Sequence, residues 1–420
     1  MTYRTRELLN LTVVGLLTGI GFTSVYVARQ DVVSTGSLSY ALIFFALYFA
    51  AHLVARVSVP YADPYLLPMA MLLTGIGVTE IYRLDPDDAF RQGLWVVIAV
   101  SLFALTLLLL RHDYRRLESY KYLFGLCALG LLALPALPAI GQTVNGARLW
   151  VDLGPLSFQP GEFAKIMLIV FLAAYLRDKR EVLAQGRVKD FGPLLLIWGG
   201  AMLVLFQTND LGSGLLYFGI FLAMLYVATA KGWFVLAGSA LFVGGAAVIY
   251  TVVPHVRDRV SVWLDPWSHA QDEGYQLIQS LYSIGNGSYG GTGLGEGTIV
   301  TTDGAPLIPY AKTDFIYSVL AQELGLIGAA ALLLVYMLFA LRGFRVALMA
   351  QDGFSKLLAL GLTFGFALQT FIILGGILRL IPLTGITLPF VSYGGSSVVA
   401  NFMLLAGLML VSSRANAPPR

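Results

Sequence analysis

Charge is scarce in this sequence. Only 12% of its 420 residues are Asp, Glu, Lys or Arg, 57% are hydrophobic, and mean hydropathy is +0.77. A soluble domain carries about 25% charge, so a chain this apolar must have lipid as part of its solvent. Cysteine is almost absent. The one thiol, Cys127, lies in an apolar run, which excludes an intramolecular disulfide and a paired-cysteine metal knuckle. The four histidines, His52, His112, His255 and His269, are scattered without ligand spacing, which argues against a transition-metal site. The net charge of +3 gives no electrostatic footprint for nucleic acid. The N-terminus lacks a short apolar stretch followed by a cleavage site, and 8–28 is long enough to be a retained helix.

Long apolar runs fill the remainder. A membrane span needs about 20 apolar residues. The candidates are 8–28, 38–55, 64–82, 90–110, 120–137, 161–176, 192–207, 211–229, 233–253, 314–342, 356–379 and 392–412, with 161–176 and 192–207 short. Charge supports this count. With the N-terminus in the cytoplasm, two thirds of the 27 Lys and Arg fall in the inner segments. The outer ones are Arg29, Arg83, Arg91, Arg148, Arg257, Arg259, Lys312 and Arg379, and Lys165 lies within a span. That bias predicts an all-α polytopic membrane protein of about twelve transmembrane helices, with both termini cytoplasmic, forming one integral membrane domain. Two longer segments face outside, 138–160 and 254–313, both rich in Gly, Pro and aromatics. Function tends to sit in such loops on a rigid frame. Leu16-Leu17-Thr18-Gly19-Ile20-Gly21 recurs as Leu72-Leu73-Thr74-Gly75-Ile76-Gly77, with Tyr26 matching Tyr82. This reads either as a duplicated helix pair or as reuse of small residues for helix packing.

Five constellations carry polar chemistry. The first runs from Asn145-Gly146 through Arg148, Trp150 and Gln159-Pro160 to Glu162 and Lys165. Pro160 suits a first helical position, where its missing N–H costs nothing. Glu162 and Lys165 then share one helix face inside a span, either as a functional pair or as a self-neutralising lock between helices. The second is Asn209-Asp210-Leu211-Gly212-Ser213, where Asp210 is a candidate site residue or simply an N-cap. The third is the long loop, with Arg257, Arg259, Trp263, Trp267, Gly274-Tyr275-Gln276 and a glycine-rich run over 285–295. Such glycine density lets backbone approach a ligand closely or leaves a flexible surface loop. No Gly-Lys-Ser/Thr follows it, so it is not a Walker loop. The fourth is Lys312-Thr313-Asp314-Phe315, followed by Glu323-Leu324-Gly325. A partly desolvated carboxylate at Asp314 is poised as a general base, or else caps the helix, and Lys312 and the outer arginines could meet a pyrophosphate. Glu323 lies nine residues further along, too far to share one small site on helical spacing alone. The fifth, Pro382 to Ser397 with Ser392 and Ser396, has the prolines and small residues of a re-entrant entry to the last span, or of a plain turn.

At these residues the chain resembles the SEDS family (shape, elongation, division and sporulation), which includes RodA, FtsW and SpoVE. The resemblance covers about residues 65–412. It rests on Arg148-x-Trp150 with Gln159-Pro160-x-Glu162-x-x-Lys165, Gly274-Tyr275-Gln276, Thr313-Asp314-Phe315-Ile316 with Glu323-Leu324-Gly325, and Pro382 to Ser397. It implies a core over 61–420 and a two-helix N-terminal extension over 1–60, a layout more similar to RodA-type members than to FtsW. It further implies peptidoglycan glycosyltransfer from lipid II at the outer face of the bacterial cytoplasmic membrane. Asp314 would be the catalytic carboxylate, and Glu162 and Lys165 the family's intramembrane pair. Arg148, Trp150, Asp210, Arg257, Tyr275, Gln276, Lys312, Arg379, Ser392 and Ser396 would contact the undecaprenyl-pyrophosphate-linked substrate. The expected partner is a class B penicillin-binding transpeptidase, and a divalent cation, Mg or Mn, is expected at the pyrophosphate, although no cation cage is legible. The chain departs from the family pattern in having Ile373-Leu374-Gly375-Gly376 where Asn-Ile-Gly-Gly is frequent, Arg379 where Gly is common, and Lys312 where His or Arg is usual. Two rivals stand beside this reading, a lipid II flippase or other carrier and a non-catalytic scaffold. A carrier usually places its ionisable groups at the midplane.

Overall fold

The structure is a computed structural model that describes residues 2–418 apart from 31–34, 139, 145–146, 153, 155–156, 186–191, 273 and 299–306. Each of the twelve candidate spans coincides with a helix, from 13 residues in the shortest to 34 in the longest. These are α1 (Tyr3–Gln30), α2 (Thr35–Ser58), α3 (Leu66–Leu84), α4 (Pro86–Leu110), α5 (Lys121–Ala133), α6 (Pro160–Ala184), α7 (Gly192–Gln207), α8 (Leu211–Thr229) and α9 (Gly232–Val252). After two shorter helices, α10 (Pro254–Leu264) and α11 (Tyr275–Asn286), come α12 (Ile316–Met349), α13 (Gly353–Ile377) and α14 (Gly395–Asn416). Among the described residues, nine helices are long and apolar enough to cross a membrane. The others are α3 and α6, which carry ionisable pairs, and α7, which has only 16 residues.

Local chemistry sets the helix starts. Asp85 caps α4 ahead of Pro86, accepting from the backbone N–H of Asp87 and Asp88, and Asp352 caps α13 through Ser355 N–H. The bundle is built around α14, whose most apolar stretch is 89% buried, while that of α9 is 6% buried and faces outward. α14 packs on α4, α12 on α13, α5 on α6, and α1 on both α2 and α3. The repeated sextets belong to the packed helices α1 and α3. A Cβ on Gly75 would lie 2.5 Å from Thr18 Oγ1, and Tyr26 stacks on Tyr82 at 5.9 Å. Small residues let these helices approach closely, and the echo sits where that closeness is used.

The all-α expectation needs one correction and the long-loop expectation another, both in the connecting segments. Residues 138–160 contain a three-stranded antiparallel sheet, β1 (Gly141–Val144), β2 (Ala147–Asp152) and β3 (Ser157–Phe158). Gly141 pairs with Val151, and Val151 with Phe158. Asn145 and Gly146, between the first two strands, lie outside the described residues, but an Asn-Gly pair flanked by alternating residues is a strong hairpin signal. The described residues of 254–313 are largely helical at their start. They contain α10 and α11, and α11 packs on α12 through a 2.5 Å contact between Ser280 Oγ and Ser318 Oγ.

Candidate active site

Asp314 lies just before α12, half-buried, between the buried Ala311 and Phe315. Two bonds stitch its flanks to the turn that precedes α14. Ser392 Oγ donates to Thr313 O at 2.6 Å while accepting from Leu388 N at 2.9 Å, and Tyr393 N donates to Lys312 O at 2.8 Å. A Cβ on Gly385, whose φ is 74°, would lie 3.7 Å from Asp314 Oδ2. The segment over 382–394 is irregular backbone, about half of it buried, and it passes the carboxylate at Gly385. Such backbone is tolerated at membrane depth only inside protein. Burial pushes the Asp314 carboxyl up to about 6, with the Arg259 guanidinium and a Thr313 hydrogen bond pulling the other way.

Arg259 is a link the sequence left among the outer cations. It projects from α10, and its Nη1 donates to Leu383 O at 3.3 Å and Thr384 O at 3.1 Å, the two residues before Gly385. Its charge also reaches Asp210, whose carboxyl burial pushes up, bonds from Ser213 lower, Glu162 raises and Arg259 lowers. Asp210 is the N-cap of α8, accepting from Ser213 N at 3.0 Å. It also lines an apolar cavity of about 780 Å³ between α7, α8 and α9, alongside Leu195, Phe206, Phe218, Phe242 and Ile249.

The ionisable pair on α6 is tied to the same irregular segment. Lys165 Nζ donates to Glu162 Oε2 at 2.8 Å and to Gln369 Oε1 of α13 at 2.6 Å. Gln369 Nε2 then donates to Thr387 O at 2.9 Å, and Thr387 Oγ1 to Ser397 Oγ at 2.8 Å. This chain of bonds fixes the backbone that faces Asp314.

The remaining predicted residues fall into two groups. Several brace the site. Ser396 Oγ accepts from Gln159 N at 2.9 Å, joining the first turn of α14 to the start of α6. Arg148 N donates to Thr208 O at 2.9 Å, tying β2 to the entry of α8, and its Nη2 reaches Leu137 O and Gly141 O at 3.3 and 3.4 Å. Trp150 lies half-buried on β2 opposite Gln142, and Tyr275 and Gln276 open α11. Other cations already serve protein groups. Lys312 is gripped by Asp88, and by Asp85 at 3.1 Å. Arg379 Nε donates to Trp263 O at 2.8 Å and its Nη2 to Leu264 O, closing the end of α10. Arg257 Nη2 donates to Thr251 O at 2.9 Å at the end of α9. The glycine-rich run approaches α12 rather than an open groove. Thr292 N and Gly293 N donate to Gln322 O and Glu323 O at 3.0 and 3.1 Å, beside Gly325, where α12 kinks with φ 67°. Among the described residues no group of three or more His, Cys, Asp or Glu could hold a metal ion.

A family profile described as "Cell cycle protein", FtsW/RodA/SpoVE, matches residues 64–417. The chain belongs to this FtsW/RodA/SpoVE family. It is a multi-pass membrane protein like its relatives, and α1 and α2 precede the matched region. "Peptidoglycan glycosyltransferase RodA" of Mycobacterium tuberculosis is 41% identical over 440 residues, covering 100% of this chain and 92% of that protein. "Probable peptidoglycan glycosyltransferase FtsW" of Geobacter metallireducens is 34% identical over 368 residues, covering 85% of this chain and 96% of that protein. A solved structure described as "Structural coordination of polymerization and crosslinking by a peptidoglycan synthase complex" matches at TM-score 0.70 and 30% identity. It covers 84% of this chain and 98% of that one. The crystal structure of Thermus thermophilus rod shape determining protein RodA matches at TM-score 0.60 and 27% identity, covering 85% of this chain and 98% of that one.

Proposed function

We propose that this family member is a peptidoglycan glycosyltransferase that polymerises lipid II on the extracytoplasmic face of the bacterial cytoplasmic membrane, with Asp314 as its general base. The activity follows from the relatives, which carry that name at up to 41% identity over the whole chain. The observation that carries the assignment of the base is the half-buried Asp314 carboxyl, pushed up to about 6, held against Gly385 and within the field of Arg259. A base of that strength is largely ionised at neutral pH and retains driving force for proton transfer.

In the reaction, Asp314 takes the proton from the acceptor sugar's 4-hydroxyl as that oxygen attacks the donor's anomeric carbon. The bond from that carbon to the pyrophosphate oxygen breaks, and undecaprenyl pyrophosphate leaves. Diphosphate is a good leaving group, so a second carboxylic acid of the kind used in glycoside hydrolysis is not required. Arg259 supplies fixed positive charge next to the site, where it is worth more than in water. The apolar cavity beside Asp210 suits a polyprenyl chain. The substrate contacts proposed for Lys312 and Arg379 would require these residues to share or exchange their protein partners. The Lys and Arg bias supports cytoplasmic termini, and with twelve spans Asp314, Arg259 and the sheet would then lie on the extracytoplasmic side. The likeness to a synthase complex supports a class B penicillin-binding transpeptidase as partner.

The test is to purify the chain with that partner, supply lipid II and resolve the products by gel. Glycan polymer is expected. Translocation of lipid II across vesicles without any polymer would favour the carrier reading instead.

A further inference from the structure

The end of the bundle opposite Asp314 carries a second polar cavity, of about 180 Å³. It is enclosed by Arg6 of α1, Asp63 and Tyr65 of the α2–α3 turn, Arg342 and Arg345 of α12, and Asn416 of α14. Three guanidiniums therefore surround one carboxylate, and that carboxylate is already engaged. Asp63 Oδ1 accepts from Tyr65 N at 2.9 Å, and Oδ2 lies 3.5 Å from Arg342 Nη1. Arg342 is held in place by this contact and by the Tyr65 ring, 4.4 Å away. Arg6 and Arg345 are exposed, and among the described residues neither side chain has an ion pair or a hydrogen bond. The cavity thus keeps positive charge that the protein does not neutralise. Met349, 40% exposed, lines it at the foot of α12, and the adjacent Leu348 is 77% exposed.

We infer that this cavity binds the phosphodiester headgroup of an anionic phospholipid. A planar guanidinium pre-oriented by a ring, with two further arginines free to turn, matches the oxygens of a phosphodiester. Basic pockets between helices at a membrane surface recognise such headgroups. The exposed Leu348 and Met349 offer acyl chains a path along the bundle. Because Arg6 belongs to α1, before the family match at 64–417, the bound lipid clamps the N-terminal helix to α12 and α14. The inference rests on the bundle lying in a membrane and not on the polymerase reading.

The test measures binding of short-chain phosphatidylglycerol, phosphatidylcholine and inorganic phosphate to the full-length protein in detergent, by native mass spectrometry and melting temperature. Saturable binding of phosphatidylglycerol with a rise in melting temperature is expected, with neither from phosphatidylcholine. The double variant Arg6→Ala/Arg345→Ala, which disturbs no internal bond, should weaken phosphatidylglycerol binding roughly 25-fold, two cations at about fivefold each. Arg345→Gln alone should give about fivefold by the same reasoning and serves if the double variant does not fold. Unchanged affinity in the variants, or equal binding of phosphatidylcholine, overturns the site. Inorganic phosphate binding as tightly as phosphatidylglycerol overturns the lipid assignment and leaves a free-phosphate site.

Discussion

Arg83 Nη1 lies 2.5 Å from Glu323 Oε1, and both side chains are buried. The same guanidinium lies 3.4 Å from Glu80 Oε1 and donates to Gly297 O, while Glu323 Oε2 accepts from Gly295 N at 2.7 Å. One cation therefore joins α3, α12 and the glycine-rich segment that leads back to Asp314. Arg83→Met would leave the buried Glu323 without its counter-charge, and a loss of about 3–5 kcal/mol is expected. Thermal melting in detergent reads it. A variant that melts like the wild type would show that the pair does not hold this segment.

The kink in α12 yields a second expectation. Gly325 has φ 67°, and a Cβ there would sit 2.2 Å from Gly291 N. Gly325→Ala combines a backbone penalty of about 1–3 kcal/mol with a clash against another main chain. A lower melting temperature is expected, together with faster proteolysis in the segment around Gly291.

Lys165 supports a double-mutant test. Lys165→Met leaves Glu162 buried and removes the bond to Gln369, at an expected cost of about 3–5 kcal/mol. Glu162→Gln/Lys165→Met removes both charges and should melt closer to the wild type than Lys165→Met does. Additive losses would mean that the two residues are not coupled.

The dependence of rate on pH reports the base. Asp314 must be ionised to accept a proton, and its carboxyl is pushed up to about 6. The rate is therefore expected to hold above that value and to fall about tenfold per unit below it. Arg259→Gln removes the cation that opposes the effect of burial, so the acid limb should move to higher pH. Initial polymerisation rates from about pH 5 to pH 8 check both points. An acid limb at the same position in the variant would show that Arg259 does not act on Asp314.

Much of this arrangement was readable from sequence because lipid imposes a plain rule, about 20 apolar residues per span. Each candidate span coincides with a helix, and Glu162 with Lys165 followed from three-residue spacing on one helix face. What stayed hidden depends on contacts distant in sequence. Gln369, 204 residues from Lys165, is neutral and lies in an apolar run, so nothing local marks it as the lysine's second partner. Arg259 was indistinguishable from the other outer cations until the fold placed it against Leu383 and Thr384. Lys312 and Arg379 looked like free charges because the partners that engage them, Asp85, Asp88, Trp263 and Leu264, are at least 115 residues away. The sheet was missed because membrane-scale windows pass over strands of six residues or fewer, although the Asn-Gly pair signalled a hairpin.

The central claim is that one carboxylate takes the proton from the acceptor sugar. Asp314→Asn keeps its shape and removes the base. In a lipid II polymerisation assay with the partner transpeptidase present, a loss of about 10²-fold or more is expected, with the melting temperature unchanged. Glycan strands made by that variant at the wild-type rate would contradict the account.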